Sequence, residues 1–573
     1  MQKSFIKKIK KKKEKIIKLI NMKLILFLSI IYLILSQGPF KLSPSKKFIL
    51  DKYNRYIIFH GVNIVYKLPP YLPNTEKFDG QYSLTFNEDI KILKKLGFNF
   101  VRLGIIWEAV EKKEGEYDYD YLNQIKNIIN NLGKNGIFTM IDNHQDMFSR
   151  KFCGEGVPYF YVNKLNYDNN CESNYLSKFY HFIGLCKPFK SFNYRYDKDG
   201  LPLIDDCVKR PFGDYHFTSD FTSSYLKFYN NENGIQEKFI EFWKVVVKYF
   251  KNNEYVIGYD FWNEPFTGGM FESIKNIIPG NANKKFLLPL YKKLEQALRG
   301  IDDRYISYIE NTFFPDTYPF LGGLTLSGLK EKPYKKYNYV YNTHSYCCSA
   351  GLNVCYENGE PKLNYKRFCE RFNKRKILHD LKYAKKMNTS LFLSEFGACS
   401  DSYACYNEIM SVVKVCEENL VSWAYWNYKP FGDHTTSAIK NVELEGMFYK
   451  NGSLQKIKEE SLSRAYVQYY QGEPYYFKYV DENYNMFETK FVYDKYIDKN
   501  TRIYFNRNLH YKDGYILIVT NEKDRRINFD IKEIDENYIE VIIREIRNNA
   551  KLIIRFFSKF SKKNKKENKI SDL

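Results

Sequence analysis

From about residue 45 to residue 456 the chain repeats one pattern: a short run of apolar, β-branched or aromatic residues, then a longer stretch with apolar positions three and four apart. Short apolar runs bounded by turn residues fit buried strands, and the longer recurrence fits helices packed on one face. Eight runs stand out, at 57–62, 98–104, 137–143, 256–264, 305–309, 339–344, 391–396 and 421–426. Helical patterns lie between them, among them 88–96, 121–135, 237–250, 288–298 and 403–418. Such alternation calls for a parallel sheet with crossover helices. Eight units of this kind predict an α/β fold, a (β/α)8 TIM barrel spanning 45–456.

The longest interruption, 148–234, follows the third run and is rich in Tyr, Phe, Gly and Pro. Loops after barrel strands gather at the C-terminal face, so this insertion is expected as a lid or roof over the site; an insertion without a role is the bland alternative. After residue 456 the pattern changes to short alternating runs at 475–480, 486–493, 502–505, 514–520, 527–531 and 538–543, which predict a small C-terminal antiparallel β-sandwich at 465–558. The last apolar stretch, 552–560, is read as a final strand paired across Asn548-Asn549. Read instead as a helix, it puts Leu552, Ile553, Phe556, Phe557 and Phe560 on one face, the pattern of a membrane-surface helix.

Composition narrows the class. With 44% apolar and 27% charged residues over 573 positions, the chain has ample material for a core. The formal charge of +22 would suggest nucleic acid if it lay on one face. Residues 1–23, however, carry ten Lys and one Glu, and the basic tail at 559–573 carries six Lys against Glu567 and Asp572. What remains is spread without a dense basic patch, so a nucleic-acid partner is not expected. No HExxH, GxxxxGK[ST] or strand-flanked GxGxxG is present, so the metalloprotease, P-loop and dinucleotide classes lack their signatures.

Behind the basic start, residues 24–35 are apolar but for Ser29 and Tyr32, and Ser36-Gln37-Gly38 follows. This is the layout of a secretory signal peptide over 1–38, with an uncleaved anchor as the rival; twelve residues are short for a bilayer span. The eleven cysteines cluster in loop-like stretches, as expected of disulfides in the secretory pathway, and the odd count leaves at least one thiol unpaired. A secreted protein, or one of a lysosome- or vacuole-like lumen, is expected.

The chemistry-bearing signal is Phe261-Trp262-Asn263-Glu264-Pro265 at the end of the fourth run, with a second acid in Leu393-Ser394-Glu395-Phe396-Gly397 at the end of the seventh. Strands four and seven stand on opposite sides of an eight-stranded mouth, so the two carboxylates can face each other across a substrate. Glycoside hydrolysis needs that arrangement: one carboxyl protonates the departing oxygen and the other attacks the anomeric carbon. A surface salt bridge is the plain alternative for either Glu alone, and it weakens once both are considered together.

These residues resemble glycoside hydrolase family 5, and within it the endoglycoceramidase-related group. The narrower likeness rests on the stretch from Phe59-His60-Gly61-Val62-Asn63 to Lys67-Leu68-Pro69-Pro70, on Asp142-Asn143-His144-Gln145-Asp146, on His344-Ser345-Tyr346-Cys347-Cys348 and on Trp423-Ala424-Tyr425-Trp426. More loosely it extends to Thr501-Arg502-Ile503-Tyr504 and His510-Tyr511 of the sandwich. The resemblance and the chemistry together imply Glu395 as nucleophile, held ionised by Arg102, and Glu264 as acid/base with a raised pKa. They imply Asn263 on the sugar 2-hydroxyl, Tyr346 donating to Glu395, and Lys67, His144 and Asp146 on sugar hydroxyls. Trp426 would form a platform under the ring. A packed strand-end Tyr346 and a plain core Trp426 are the structural alternatives. A metal role for His144 is not expected, since none of the eight His pairs at ligand spacing.

The implied substrate is a glycosphingolipid at a membrane or micelle surface, cut between glycan and ceramide by a monomer without metal or cofactor. Release of single glucose from glucosylceramide or a steryl glucoside, an endoglucanase or mannanase activity on polysaccharide, and a non-catalytic glycolipid-binding protein remain as alternatives.

Overall fold

The computed structural model describes residues 38–560 except 168–169, 173, 318–327, 351–353, 357–359 and 436–444. The expected signal segment, apart from Gly38, and the basic tail beyond residue 560 therefore fall outside the described residues.

Eight parallel strands close into a barrel: β1 (His60–Ile64), β2 (Phe100–Ile105), β3 (Phe138–Asn143), β4 (Val256–Asp260), β5 (Ser307–Ile309), β6 (Tyr339–Ser345), β7 (Ser390–Phe396) and β8 (Ser422–Tyr425). The ring closes where Trp423 stands opposite His60 and Tyr425 opposite Val62. Every strand residue except Phe138 is buried, which is why the runs read as largely apolar instead of alternating with an exposed polar face. Inside, Phe59, Phe100 and Phe392 meet at centroid separations of 4.8–6.3 Å and fill the floor. Gly61 permits the close approach of β1 to β2, since a Cβ there would stand 2.2 Å from the carbonyl oxygen of Phe100.

The outer helices include α1 (Asp89–Lys95), α2 (Tyr119–Lys134), α3 (Ile235–Phe250), α4 (Leu288–Leu298), α5 (Lys366–Lys386) and α6 (Tyr403–Glu418). In α2 the sequence logic is plain. The Asp118 side chain accepts from the Tyr121 amide at the start, and Leu122, Ile125, Ile129 and Leu132 are buried along one stripe. Among the described residues no helix is long and apolar enough to cross a membrane.

Two disulfides, Cys153 to Cys207 and Cys171 to Cys186, tie the long insertion after β3. Three more join Cys347 to Cys369, Cys348 to Cys355 and Cys399 to Cys405, leaving Cys416 as a buried free thiol. Five disulfides are the mark of an extracellular or secretory-pathway protein.

Beyond the barrel come β9 (Tyr466–Tyr470), β10 (Gly472–Asp481), β11 (Met486–Tyr493), β12 (Thr501–Tyr504), β13 (Tyr515–Asn521), β14 (Phe529–Asp535), β15 (Tyr538–Ile543) and β16 (Lys551–Ser558). They make two antiparallel sheets, β10-β11-β16-β13 and β9-β12-β15-β14. The second sheet is extended beyond β9 by Tyr56–Ile57, Ile49–Leu50 and Lys41–Leu42. This differs from the sequence reading in two ways. The run at 57–62 is two elements: Tyr56 and Ile57 pair with Tyr470 and Tyr469, and the barrel strand begins at His60. Both parts are largely buried, so hydrophobicity alone does not mark the change of sheet. The stretch 552–558 lies in a strand, β16, as expected, but it forms no hairpin with β15, because β15 and β16 belong to different sheets.

The sheet holds the barrel through polar caps. The hydroxyls of Tyr538, Tyr504 and Tyr466 donate to the carbonyls of Lys94, Lys95 and Gly97 at 2.8, 2.8 and 2.7 Å. These carbonyls lie at and just beyond the C-terminal end of α1, where helical partners run out; that of Lys94 also accepts from the Gly97 amide at 3.0 Å.

Candidate active site

All nine residues expected to act on substrate come together at the C-terminal mouth, each on a strand or just after one. Arg102, fully buried on β2, organises them. Its guanidinium donates to Glu395 Oε1 at 2.5 Å, to Asp142 Oδ1 at 2.9 Å, to Asp260 Oδ2 at 2.9 and 3.0 Å, and to Asn263 Oδ1 at 2.9 Å. A planar fork of five donors suits such a ring of oxygens, and lysine would not replace it. The Tyr346 hydroxyl donates to Glu395 Oε2 at 2.9 Å, so both oxygens of Glu395 are held. Register explains where Glu395 stands: a bulge at Ser394 in β7 brings Glu395 level with His344 of β6. Asn63 on β1 secures the bulge by donating to the Ser394 carbonyl at 2.8 Å.

Glu264 sits four residues beyond the end of β4 with φ at 41°, a left-handed conformation rare outside glycine. Such strain costs about 1–3 kcal/mol and persists only where neighbours enforce it. They do here. The Glu264 amide donates to Glu310 Oε2 at 3.1 Å, and the Gln145 side-chain amide donates to the carbonyls of Asn263 and Glu264 at 2.7 and 3.3 Å. One oxygen each of Glu264 and Glu395 and one ring nitrogen of His344 lie within 4.8 Å of one another. His344 Nδ1 stands 2.6 Å from Glu264 Oε1 and 3.3 Å from Glu395 Oε2, while its Nε2 is 3.2 Å from Glu310 Oε1. Burial opposes charge on that imidazole, but Glu310, Glu395 and Glu264 hold its pKa well above the ordinary histidine value. For Glu264, burial pushes the pKa up and the negative charge of Glu395 adds to it, against the lowering pull of His344; the result is about 7.

Beside this pair runs a second charged string. Lys67 Nζ donates to Asp146 Oδ2 at 2.5 Å, to Thr435 Oγ1 at 2.7 Å, and pairs with Asp433 Oδ2 at 2.7 Å. His144 Nδ1 meets Asp142 Oδ2 at 2.7 Å, while Nε2 faces Asp146 Oδ2 at 3.7 Å and the Asn263 amide at 3.5 Å. Burial works against charge on His144, yet Asp142 and Asp146 raise its pKa to about 10. The Trp426 indole stacks on His144 at 5.2 Å between centroids, lies 4.8 Å from Lys67 Nζ, and donates to Glu445 Oε2 at 3.0 Å. Glu155, completely buried, brings a carboxyl oxygen into the His144–Asp146 group; burial first, then Asp146, raises its pKa well above the carboxylate range.

Two triplets here have metal-ligand residue types, Glu264 with His344 and Glu395, and His144 with Asp146 and Glu155. In each a protein cation already lies against a carboxylate, Arg102 on Glu395 and Lys67 on Asp146. That donor chemistry suits hydroxyl groups better than a metal ion.

Sequence reasoning missed His344, Glu310, Asp260, Asp142, Asn63, Gln145, Glu155 and Asp433. For His344, Asp142, Asn63 and Gln145 a signal existed, because they lie in the very motifs that carry the resemblance. Glu310 follows the three-residue strand β5 with no motif around it, and only closure of the ring brings it under His344.

A closed parallel barrel with two carboxyls facing each other across its C-terminal mouth, one of them tuned toward a neutral pKa, defines a glycoside hydrolase. The family model described as cellulase (glycosyl hydrolase family 5) matches residues 67–184 and 214–432. The endoglycoceramidase of Cyanea nozakii is 30% identical over 479 residues, 83% of this chain and 86% of that protein. The endoglycoceramidase of Hydra vulgaris is 30% identical over 496 residues, 86% of this chain and 85% of that protein. Among solved structures, endo-glycoceramidase II from Rhodococcus sp. in its ganglioside GM3 complex superposes with a TM-score of 0.63 at 18% identity, covering 90% of this chain and 99% of that one. The chain belongs to glycosyl hydrolase family 5.

Proposed function

We propose that the enzyme hydrolyses, with retention, the β-glycosidic bond between a glycan and the ceramide of a glycosphingolipid. The observation that carries this reading is that one carboxyl oxygen of Glu264 and one of Glu395 lie within 4.8 Å of each other, a close approach of the kind a retaining site needs, where the carboxyls stand roughly 5–5.5 Å apart. Similarity to the Cyanea and Hydra endoglycoceramidases over more than four fifths of the chain supports the lipid substrate.

In this reading Glu395 is the nucleophile. Arg102 and Tyr346 keep its carboxylate charged and oriented while one oxygen attacks the anomeric carbon. Glu264, protonated at a pKa near 7, gives its proton to the departing ceramide oxygen. Neutralising Glu395 as a glycosyl ester removes one of the charges that raise the pKa of Glu264, so the same group then takes a proton from the incoming water. The second attack restores the original configuration. Asn263 serves the 2-hydroxyl, Lys67, His144 and Asp146 serve other hydroxyls, and Trp426 packs against the sugar ring. The enzyme works as a monomer at a membrane or micelle surface, in a secretory or lysosome-like lumen, a place its five disulfides support.

Mass spectrometry of products from a defined glycosphingolipid set is the test. Intact oligosaccharide plus ceramide is expected; glucose as the sole sugar product from every substrate overturns the reading. Glu395→Gln should lower turnover by at least about a thousandfold with the native fold retained by circular dichroism, and retention of turnover would remove Glu395 from its role.

A further inference from the structure

The disulfide from Cys171 to Cys186 closes a loop that carries an eight-residue helix, Tyr175–Phe182. This helix is apolar on the side that faces away from the protein. Inward, Ser177 is buried and Tyr180 packs on Phe271 at 5.7 Å. Outward stand Tyr175 at 94% exposure, Phe179 at 55% and Phe182 at 87%, spaced as one helical face, followed by Ile183 at 46% and Leu185 at 54%. At roughly 150–250 Å² per aromatic ring, such a face is larger than a soluble protein normally leaves in water, and it marks a contact surface. The Asn174 cap fixes it to the segment after β4, its side-chain amide donating to the Glu272 carbonyl at 3.1 Å. That segment adds exposed Ile274 and Ile278.

Charge says what the surface meets. Exposed Lys178 lies on the apolar face itself, and Lys187 and Lys190 follow, against Glu172 alone. Exposed Lys275, Lys284 and Lys285 stand in the neighbouring segment. Exposed aromatic side chains with exposed lysines in the same two segments fit the boundary between acyl chains and anionic headgroups. Both segments leave the barrel from the C-terminal ends of β3 and β4, the strands that lead into His144 and Glu264.

We propose that this disulfide-tied face docks the enzyme on an anionic phospholipid bilayer, with the barrel mouth held toward the membrane. The proposal rests on the lipid-borne substrate inferred above, and its test is independent of catalysis. Glycolipid-free vesicles of phosphatidylcholine with about 20 mol% phosphatidylserine are sedimented with the enzyme, and with pure phosphatidylcholine as the neutral arm. Wild-type protein should sediment with the anionic vesicles and far less with the neutral ones. Phe179→Ser with Phe182→Ser, and separately Lys178→Glu with Lys187→Glu, should each weaken binding by at least about tenfold. Both pairs should keep wild-type turnover of a soluble aryl β-lactoside and lose hydrolysis of vesicle-borne glycolipid in step with binding. Wild-type protein that ignores anionic vesicles, or variants that bind them equally well, would overturn the proposal. So would a wild-type dimer that F179S with F182S converts to monomer, since the face then covers a second copy. Failure to cleave the aryl lactoside would count against the hydrolytic reading and leave vesicle binding to be judged by itself.

Discussion

Glu264 must hold a proton when substrate arrives, and its pKa near 7 sets where that condition fails. Burial favours the neutral carboxyl, so the acid form predominates below that value and is lost above it. With a substrate whose leaving group needs protonation, kcat/KM should fall as pH rises through about 7, approaching tenfold per unit. A leaving group stable as an anion should flatten this limb. His344 provides the sharper test. Its positive charge, 2.6 Å from Glu264, lowers the Glu264 pKa; taking it away therefore raises that pKa. His344→Gln should move the basic limb to higher pH, whatever it does to the rate at the plateau. A limb that stays in place or moves down would mean that His344 does not tune Glu264.

Between residues and the whole lie the elements, and the tyrosine caps on α1 show how their junctions are held. Tyr504→Phe removes the hydroxyl from the Lys95 carbonyl, 2.8 Å away, and leaves its ring in place. This bond is only partly buried, so the loss should be that of an ordinary hydrogen bond, about 0.5–1.5 kcal/mol in denaturant unfolding, with activity of the folded enzyme unchanged. A variant as stable as wild type would mean that water replaces the hydroxyl. At this scale the sequence was most readable. All eight barrel runs became strands, because strands covered on both faces are mostly apolar, with polar residues such as Arg102 and Glu395 where they face the mouth. The splitting of 57–62 was hidden for the same reason: burial in one sheet looks like burial in the next. The facing glutamates were legible because each sits at a strand end beside a distinctive tripeptide. Glu310 and the bulge at Ser394 were not, since a carboxylate after a three-residue strand and a slip in register leave no local pattern.

For the molecule as a whole, the hydroxyl caps and the His60–Tyr466 stack predict that the barrel and the sheets beside it unfold together. A chain ending before β9 would strip the tyrosine hydroxyls from the Lys94, Lys95 and Gly97 carbonyls and leave one face of His60 bare where Tyr466 now stacks at 3.6 Å. Such a truncation should be protease-sensitive and lack the sharp melting transition of the full chain; a cooperative, protease-resistant barrel would show that the two parts are separable. Synthesis runs in one direction, and the sheet does not. Tyr56 and Ile57 leave the ribosome early, yet the strand that receives them, at Tyr469 and Tyr470, is made roughly 400 residues later. Through that whole interval the nascent chain carries an unzipped edge next to the first stave of the barrel, so a strand translated only after all eight staves is the one that locks the first.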